Sequence, residues 1–394
     1  MIANLTSSQI QVKSETDRLI FKTIYEGGPL SRADIARQTK LTAPTVSASV
    51  AKLIESGLLT ESKPISNGRG KPATQVNVID ESYSVIGVDI SNREFKGGIF
   101  DIRGNQLYSA VQSVDYSHAE FIFPALIELM DSLVAQVDKL GSPLLGIGVG
   151  SPGLLNMRNG SVTLSVNLGW YDFPLKEKIK ERYSVPVYLF NDSQAAALGQ
   201  FTFDNPEKTE NMIVLKIGRG ISAGIILNGK IYSGSHFGAS EVGHLKVVED
   251  GKLCQCGNYG CLETVASTTA ILQEIKNLNP SDLNFAGHEP TSDDLLTAFE
   301  AGQADVVQIV KQAGEYIGKA VASFISILNI SQIVIAGSMA RFGPVFLESI
   351  QASIQGRALS NLVDYTDLKL SNLGQDIVTK GAASIILHQE LGVV

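Results

Sequence analysis

The three cysteines of this 394-residue chain lie within eight residues of one another, and a histidine lies ten residues before the first of them. His244 and the pattern Cys254-x-Cys256-x4-Cys261 offer one imidazole and three thiolates. Four such soft donors form the tetrahedral set that zinc favours. A disulfide would use only two of the thiols and leave one over, so we expect one structural zinc ion per chain.

Two glutamates flank this cluster: Glu241 precedes the ligands and Glu263 follows them. Because four protein ligands leave a zinc ion without an open position, we expect the metal to shape a loop rather than to take part in chemistry. Gly257 and Gly260 should allow the tight turns that bring the thiolates together. The sequence therefore predicts a loop that directs both carboxylates toward a ligand cleft.

The polar pair Asn191-Asp192 follows an apolar segment at residues 185–190 and precedes a helical pattern at residues 193–198. In isolation such a pair is typical of a turn at a strand end. Ligands of α/β sheets, however, tend to bind at the carboxyl ends of strands, where these side chains would lie. Carboxylates and amides form paired hydrogen bonds with adjacent sugar hydroxyls. We therefore expect a sugar site that contains Asn191, Asp192, Glu241, His244 and Glu263.

The elements that must position these residues occur in two similar rounds from Tyr83 onward. In the first round, strand-like segments at 84–90, 96–101 and 106–114 precede a helix at 121–140 and a buried strand at 144–150. In the second, strand-like segments at 211–217, 223–227 and 230–232 precede a helix at 314–328 and a strand at 332–336. Two such units predict two lobes around a cleft, where small ligands commonly bind.

The first eighty residues have a different pattern. Residues 14–25 have helical spacing of apolar side chains, and Ser31 and Thr42 are each placed to cap a further helix. Strand-like segments at 58–60 and 75–78 follow. This order predicts a winged helix-turn-helix, whose recognition helix enters the major groove of DNA.

The charge distribution supports a DNA reader at the front of the chain. Residues 1–80 hold 10 Lys+Arg against 7 Asp+Glu, whereas the rest holds 22 against 33. A small helical domain with a hairpin can also serve as a protein-interaction module, but the basic wing favours DNA. The predicted DNA contacts are Arg32, Thr42, Thr45, Ser47, Ser49, Lys52, Arg69 and Lys71.

The bulk composition excludes several classes of protein. With 44% hydrophobic and 18% charged residues, the chain is typical of a globular protein of two or three domains. It contains no stretch of 18 apolar residues, so we expect no membrane insertion. The absence of a signal-peptide pattern and the clustered cysteines predict a cytoplasmic protein.

Five motifs follow one another through the large domain: Ser151-Pro152-Gly153, Asn167-Leu168-Gly169-Trp170, Asn191 to Gly199, Glu241-Val242-Gly243-His244 and Cys254 to Glu263. Together they resemble the ROK family, which groups repressors and sugar kinases. The resemblance runs from about Ile86 to Leu387. The front domain is similar to that of the repressor branch, which includes the xylose and N-acetylglucosamine repressors.

The resemblance implies an α/β fold: an N-terminal winged helix-turn-helix plus a two-lobed, actin/hexokinase-like (ribonuclease H-like) domain. We expect the DNA-binding domain at residues 1–80 and the sugar-binding effector domain at 81–394. Lobe one would span about 81–196 plus a C-terminal helix at 379–394. Lobe two would span about 197–378 and contain the zinc site.

The resemblance also implies roles for individual residues. His244 would bind zinc through one ring nitrogen and offer the other to a sugar hydroxyl. Gly153 and Asn167 would complete the pocket wall. In the family's kinases, the residue that aligns with Asp192 is the base that activates the phosphorylated hydroxyl.

Three segments depart from the nucleotide-binding pattern of those kinases: Asp89-Ile90-Ser91-Asn92-Arg93, Gly218-Arg219-Gly220 and Ala336-Gly337-Ser338-Met339. In the first, Ser91 and Asn92 replace two glycines, which should block the close approach of backbone amides to phosphates. In the second, Arg219 replaces the usual threonine between two glycines, and the third is less rich in glycine than in the kinases. We therefore expect no catalysis, with Asp192 marking a vestigial base.

The sequence thus predicts a DNA-binding repressor of carbohydrate-utilisation genes, controlled by a monosaccharide effector. We expect a homodimer or higher homo-oligomer on a pseudo-palindromic double-stranded operator, released when the sugar draws the lobes together. The alternatives are an ATP-dependent sugar kinase with an appended regulatory domain, a repressor released by a protein partner, and an activator.

Overall fold

The computed structural model describes residues 12, 14–62, 74–91, 94–116, 118–235, 238–239, 241–277 and 290–393. The chain divides into two compact units. Unit 1 comprises Met1–Asn191 and Thr379–Val394, and unit 2 comprises Asp192–Val378.

The N-terminal part of unit 1 contains three helices and three short strands: α1 (Glu15–Gly27), β1 (Leu30–Ser31), α2 (Arg32–Thr39), α3 (Ala43–Glu55), β2 (Leu59–Ser62) and β3 (Gln75–Val78). The strands form an antiparallel sheet in the order β1-β3-β2. Ser31 caps α2 and Thr42 caps α3, which confirms both predicted caps. Lys40 has a left-handed backbone, with φ 57°, in the short turn between α2 and α3. These elements form a winged helix-turn-helix, although the wing residues Arg69 and Lys71 lie outside the described residues.

The prediction that Ser49 faces DNA is wrong. Ser49 is only 3% exposed, and its hydroxyl donates a hydrogen bond to Oδ1 of the buried Asp17 on α1. Val46, Val50 and Leu53 form the buried stripe of α3, and position 49 belongs to that stripe by helical spacing. A small polar side chain therefore lies in the core because a buried acid from α1 accepts its hydrogen.

The remainder of unit 1 forms an α/β layer on a five-stranded sheet. The elements before the unit boundary are β4 (Ser84–Asp89), β5 (Glu94–Phe100), β6 (Gln106–Ser113), α4 (Ile122–Leu140), β7 (Leu144–Ser151), β8 (Leu154–Asn156), β9 (Ser161–Ser165), β10 (Trp170–Phe173), α5 (Leu175–Lys180) and β11 (Val187–Asn191). Strands β8, β9 and β10 form a separate three-stranded antiparallel sheet in the order β10-β9-β8.

Unit 2 contains a second five-stranded sheet and most of the long helices. None of the helices in the described ranges is long and apolar enough to cross a bilayer. The elements are α6 (Asp192–Phe203), β12 (Met212–Ile217), β13 (Ile221–Leu227), β14 (Lys230–Ile231), α7 (Glu263–Ala266), α8 (Thr268–Asn277), α9 (Ser292–Glu300), α10 (Ala304–Leu328), β15 (Gln332–Ala336), α11 (Gly343–Ile354), α12 (Ser360–Asp364) and β16 (Asp367–Leu370). Helix α13 (Ile377–Ile386) returns the chain to unit 1, and a π-helical turn (Leu387–Leu391) follows it.

The two five-stranded sheets have the same topology. Their orders are β6-β5-β4-β7-β11 in unit 1 and β14-β13-β12-β15-β16 in unit 2. In each, the first three strands in sequence pair antiparallel and the remaining two add in parallel. This repetition confirms the two similar α/β units that the sequence predicted.

Each sheet contains glycines where a helix backbone approaches it closely. A Cβ at Gly87 would lie 1.9 Å from the carbonyl oxygen of Thr379, and a Cβ at Gly148 would lie 1.8 Å from that of Ala382 on α13. In unit 2, a Cβ at Gly224 would lie 2.3 Å from the carbonyl oxygen of Ser193 on α6. Glycine therefore allows the first turn of α6, which begins at Asp192, to pack directly on β13.

Within unit 1, helix α1 contacts the α/β part at both of its ends. Near its start, Nη2 of Arg18 donates to the carbonyl oxygen of Gln389, 2.9 Å away. Near its end, the hydroxyl of Tyr25 donates to the carbonyl oxygen of Ile102 at 2.9 Å. The guanidinium of Arg103 lies 4.2 Å from the centre of the Tyr25 ring. The winged helix-turn-helix is thus anchored to the body of its own unit by side-chain contacts.

Candidate metal centre and ligand site

The four predicted metal ligands lie together in unit 2. One ligand atom from each of His244, Cys254, Cys256 and Cys261 lies within 4.8 Å of the others. The Sγ of Cys254 lies 3.5 Å from Nδ1 of His244, and the Sγ atoms of Cys256 and Cys261 are 3.7 Å apart. The sequence therefore identified a true cluster of four donors.

The spacing of these donors fits a tetrahedral metal ion. Metal–sulfur bonds of about 2.3 Å and metal–nitrogen bonds of about 2.0 Å would place two sulfurs about 3.8 Å apart and a sulfur about 3.5 Å from a nitrogen. The observed separations of 3.7 Å and 3.5 Å match both values. Because Nδ1 of His244 faces the sulfurs, its Nε2 is the nitrogen left to contact another partner.

The loop that carries the cysteines depends on two glycines. Gly257 and Gly260 have φ angles of 89° and 76°, and a Cβ at Gly260 would lie 1.8 Å from the carbonyl oxygen of Val248. The expectation that glycine permits these turns is confirmed. Burial raises the pKa of the Cys261 thiol to about 12 and also raises that of Cys254. A bound cation would offset this cost, because it stabilises the thiolate form.

The carboxylate of Glu263 occupies a narrow notch between two segments of unit 2. Its Oε2 accepts a hydrogen bond from the backbone N–H of Ile221 at 2.9 Å. A Cβ at Gly220 would lie 2.6 Å from this oxygen, and a Cβ at Gly243 would lie 2.2 Å from the carbonyl oxygen of Ile221. Both glycines therefore make room for a fixed carboxylate at the start of β13.

Glu241 lies one turn before His244. The backbone N–H of His244 donates to the carbonyl oxygen of Glu241 at 3.1 Å, which places both side chains on one tight turn. Glu241 is exposed, yet the atoms packed around its carboxyl group raise its pKa. His244 lowers this pKa, and the charges of Asp192 and Glu263 raise it. Asp192 and Glu263 therefore each lie within electrostatic range of Glu241.

Asp192 has a partner that the sequence analysis missed. It is 7% exposed at the first position of α6, and its Oδ2 forms an ion pair with Nζ of Lys216 on β12. Its Oδ1 accepts from the backbone N–H of Ser193 at 3.0 Å. The available signal was a single charged residue in the otherwise apolar strand Met212–Ile217.

Both parts of the chain match known families. A winged helix-turn-helix DNA-binding model matches residues 13–60, and a ROK family model matches residues 85–389. The chain belongs to the ROK family.

Three relatives show how far this likeness extends. The xylose repressor of Bacillus subtilis (strain 168) is 27% identical over 389 residues, 98% of this chain and 99% of the relative. The glucokinase of Halalkalibacterium halodurans is 34% identical over 273 residues, 67% of this chain and 83% of the relative. A solved ROK transcriptional regulator, described as a homologue of the E. coli MLC protein, has a TM-score of 0.83 at 25% identity and covers 96% of both chains. The ROK domain therefore occurs here with a DNA-binding domain, as in the matched regulators.

Within unit 1, the ROK domain brings two of the predicted sugar-site residues together. Nδ2 of Asn191 donates to the carbonyl oxygen of Gly153 at 2.9 Å. Gly153 has φ 94°, and a Cβ there would lie 2.2 Å from the carbonyl oxygen of Leu164. The buried hydroxyl of Ser165 has no hydrogen-bond partner in the described part of the chain. Asn167, the remaining predicted residue of the wall, is exposed.

Gly218-Arg219-Gly220, one of the three segments that depart from the kinase pattern, forms a tight turn. Two of its backbone carbonyl oxygens accept hydrogen bonds from other residues of unit 2. The backbone N–H of Thr268 donates to the Gly218 carbonyl oxygen at 2.8 Å, and the Thr269 hydroxyl donates to that of Arg219 at 2.9 Å. In the segment that begins at Asp89, the buried carboxylate of Asp89 accepts a hydrogen bond from the backbone N–H of Ser91 at 2.8 Å. Asn92 and Arg93 lie outside the described residues.

On the recognition helix α3, the predicted DNA-contacting face is largely accessible. Thr42 and Lys52 are exposed, and Thr45 and Ser47 are half-buried. Arg32, at the start of α2, forms an ion pair with Glu61 on β2 at 2.8 Å.

Proposed function

We propose that this ROK protein is a DNA-binding repressor of carbohydrate-utilisation genes whose operator affinity is controlled by a bound sugar. The observation that most directly supports this proposal is that one chain contains both a winged helix-turn-helix and a cluster of carboxylates beside a Cys3His loop. The likeness to a xylose repressor along 98% of the chain supports the same reading.

The metal ion that we propose for the Cys3His cluster is zinc. The separations of 3.5 Å and 3.7 Å and the soft donor set fit it. A structural zinc ion supplies folding free energy and holds its ligands in the thiolate and neutral imidazole forms. His244 then presents Nε2 beside Glu241, so the loop becomes a fixed wall of the sugar site.

The sugar site that we propose uses Glu241, His244, Glu263 and Asp192 of unit 2, preceded in the chain by Asn191. Carboxylates accept hydrogen bonds from adjacent hydroxyls, and a fixed acceptor rejects an epimer whose hydroxyl points elsewhere. The backbone N–H of Ile221 and the two flanking glycines hold Glu263 for this role. Gly153 and Asn167 of unit 1 remain predicted sugar-binding residues.

For DNA, we propose that a homodimer places two copies of α3 in successive major grooves of a pseudo-palindromic operator. Thr42, Thr45, Ser47 and Lys52 would contact the duplex, and Arg32 would approach its backbone. Sugar binding must then favour a state that fits the operator less well, because coupling between two sites is reciprocal.

The test is an operator-binding titration with and without sugar. A duplex is selected from a random library with the full chain, and its affinity is measured by fluorescence anisotropy with D-glucose, D-xylose, D-mannose, D-galactose or N-acetyl-D-glucosamine. We expect at least one sugar to weaken operator binding by about 5- to 100-fold. Glu263→Gln should abolish this response, whereas Glu300→Gln, at an exposed acid on α9, should leave it intact. Operator binding that no sugar changes would favour release by a protein partner instead.

The second candidate is an ATP-dependent sugar kinase, which the 34% identity to a glucokinase and the presence of Asp192 favour. Against it, Ser91 stands where the family's kinases have a glycine close to the phosphates, and Arg219 stands where their second phosphate loop has a threonine. A coupled assay for ADP with the same five sugars distinguishes the two. Sugar-dependent ADP release well above the background without sugar would establish the kinase.

A further inference from the structure

Lys216 is an unusual residue at its position. It lies between Leu215 and Ile217, which are 1% and 0% exposed, and its own side chain is 17% exposed. Withdrawing an ammonium group from water costs free energy unless a partner compensates it. The carboxylate of Asp192, which is itself 7% exposed, supplies that partner.

The pair lies among the acids of the proposed sugar site. Glu241 interacts electrostatically with both Asp192 and Glu263, and the latter is fixed at the start of β13, the strand that pairs with β12. In the register of that pairing, Lys216 lies opposite Ser222, one residue beyond the Ile221 that binds Glu263. Lys216 therefore lies beside the carboxylate cluster and not on a remote surface.

A carboxylate can only accept hydrogen bonds, and an ammonium group can only donate them. A sugar hydroxyl does both, with one hydrogen to donate and lone pairs to accept. A carboxylate and an ammonium held side by side can therefore satisfy both capacities of one hydroxyl. The other acids of the cluster offer acceptors alone.

We propose that Lys216 and Asp192 together bind one hydroxyl of the effector sugar, Lys216 donating to its oxygen and Asp192 accepting its hydrogen. Lys216 is then a specificity-determining residue. This inference rests on the proposed function, since it concerns the same sugar site. It also assigns Asp192 a binding role that requires no phosphoryl transfer.

A purely structural role for Lys216 would be to neutralise a buried acid. Such a role would change the stability of the chain but would not depend on which hydroxyl a ligand carries. The two roles therefore differ in their response to sugars altered at a single position.

The experiment is isothermal titration calorimetry on the full chain. The probe is whichever of the five sugars above binds with the lowest Kd, with its monodeoxy and monofluoro analogues. The proteins are the wild type, Lys216→Met and the control Lys230→Met, which removes an exposed lysine from β14 of the same sheet. Circular dichroism checks that each variant is folded.

In the wild type, we expect one deoxy analogue to bind about 10- to 100-fold more weakly than the parent, as for a lost charge-assisted hydrogen bond. The fluoro analogue at that position accepts but does not donate, so its Kd should lie between the two. The affinity of Lys216→Met for the parent sugar should be lower than that of the wild type by a similar factor. The ratio of the Kd of the deoxy analogue to that of the parent sugar should be smaller in this variant than in the wild type. Lys230→Met should match the wild type.

Unchanged binding of the parent sugar to Lys216→Met would overturn this inference and leave the proposed function standing. If none of the five sugars binds the wild type, the proposed function fails and the inference with it. Should Lys216→Met not fold, the wild-type series still decides, because equal affinities of the parent and the fluoro analogue at every position would contradict a paired donor and acceptor.

Discussion

At the scale of single residues, Ser47 and Ser49 show how position within one helix decides the role of the same side chain. Ser49 is buried against Asp17, whereas Ser47 lies on the accessible side of α3. Replacing Ser49 with Ala leaves a buried carboxylate without its hydroxyl donor, so we expect a loss of about 1–3 kcal/mol in the free energy of unfolding. Urea denaturation measures this change.

The matched variant is Ser47→Ala. Its free energy of unfolding should stay within about 0.5 kcal/mol of the wild type, because no buried partner is lost. Its affinity for the selected operator should fall, while that of Ser49→Ala, corrected for the folded fraction, should not. A weaker operator complex for Ser49→Ala alone would restore the assignment that burial overturned.

At the scale of elements, the Cys3His loop should lose its structure when its metal is removed, without loss of the sheet. Turn hydrogen bonds and isolated β-bridges hold the backbone of the loop, such as Cys254 N–H to the Asn258 carbonyl oxygen at 2.8 Å and Gly260 N–H to that of Lys252 at 3.0 Å. In contrast, β12 is paired on both edges. We expect chelation or Cys261→Ala to speed hydrogen exchange at residues 252–262, leave β12 protected and weaken sugar binding.

A control variant in the same loop is Glu249→Gln, which removes an exposed acid that pairs only with Lys246 among the described contacts. It should keep slow exchange and sugar affinity. If the chelated chain exchanged at the wild-type rate throughout residues 252–262, the loop would be stable without metal. The proposed structural role of zinc would then be lost.

Elements also show how much the sequence could predict. The bounds of β3 (Gln75–Val78) and β15 (Gln332–Ala336) were predicted to the residue, because each is a short apolar or alternating run between turn residues. Helix α10 begins at Ala304, ten residues earlier than predicted, and no side chain caps its start. The ion pair of Lys216 was not predictable, because its partner lies 24 residues away and only the packing of α6 brings the two together. Ligand clusters that are local in sequence could be predicted, and long-range pairs could not.

At the scale of the whole molecule, the free energy of unfolding should depend on pH through a histidine of unit 1. His388, in the turn that follows α13, has its pKa lowered to about 4 by burial, with a further contribution from Lys22 of α1. Its unfolded value is about 6.5. The neutral form is therefore favoured by folding, so its contribution is complete above pH 6.5 and is lost as pH falls toward 4, by up to about 3 kcal/mol.

The midpoint of urea denaturation, measured at pH 7.5, 6.0 and 5.0, tests this dependence of stability on pH. His388→Gln should flatten the loss of stability between pH 6.5 and 5, whereas His118→Gln, at an exposed histidine, should follow the wild type. Parallel pH profiles for the wild type and His388→Gln would show that the buried imidazole does not contribute, and that acidic residues alone account for the loss.

The anchor at the other end of α1 bears on how a sugar signal could reach DNA. Arg103 donates to the carbonyl oxygen of Tyr25 at 2.5 Å and pairs with Asp80 at 2.8 Å. Burial raises the pKa of Tyr25 to about 12, so its hydroxyl remains a donor to Ile102 at neutral pH. These contacts fix the position of the winged helix-turn-helix relative to the rest of unit 1. Without them, a movement of unit 1 would not change the position of the DNA-binding domain in a defined way.

We therefore expect Arg103→Ala to reduce the sugar-induced change in operator affinity while leaving the Kd for sugar unchanged, because coupling needs a defined pose of the DNA-binding domain. Anisotropy and calorimetry on the same preparation measure both quantities. Arg158→Ala removes an exposed arginine of unit 1 and should retain full coupling. If Arg103→Ala kept the wild-type ratio of operator affinities with and without sugar, the signal would not depend on Arg103. Other described contacts, such as that of Arg18 with Gln389 or of Tyr83 with Ser56, would then be the routes to test.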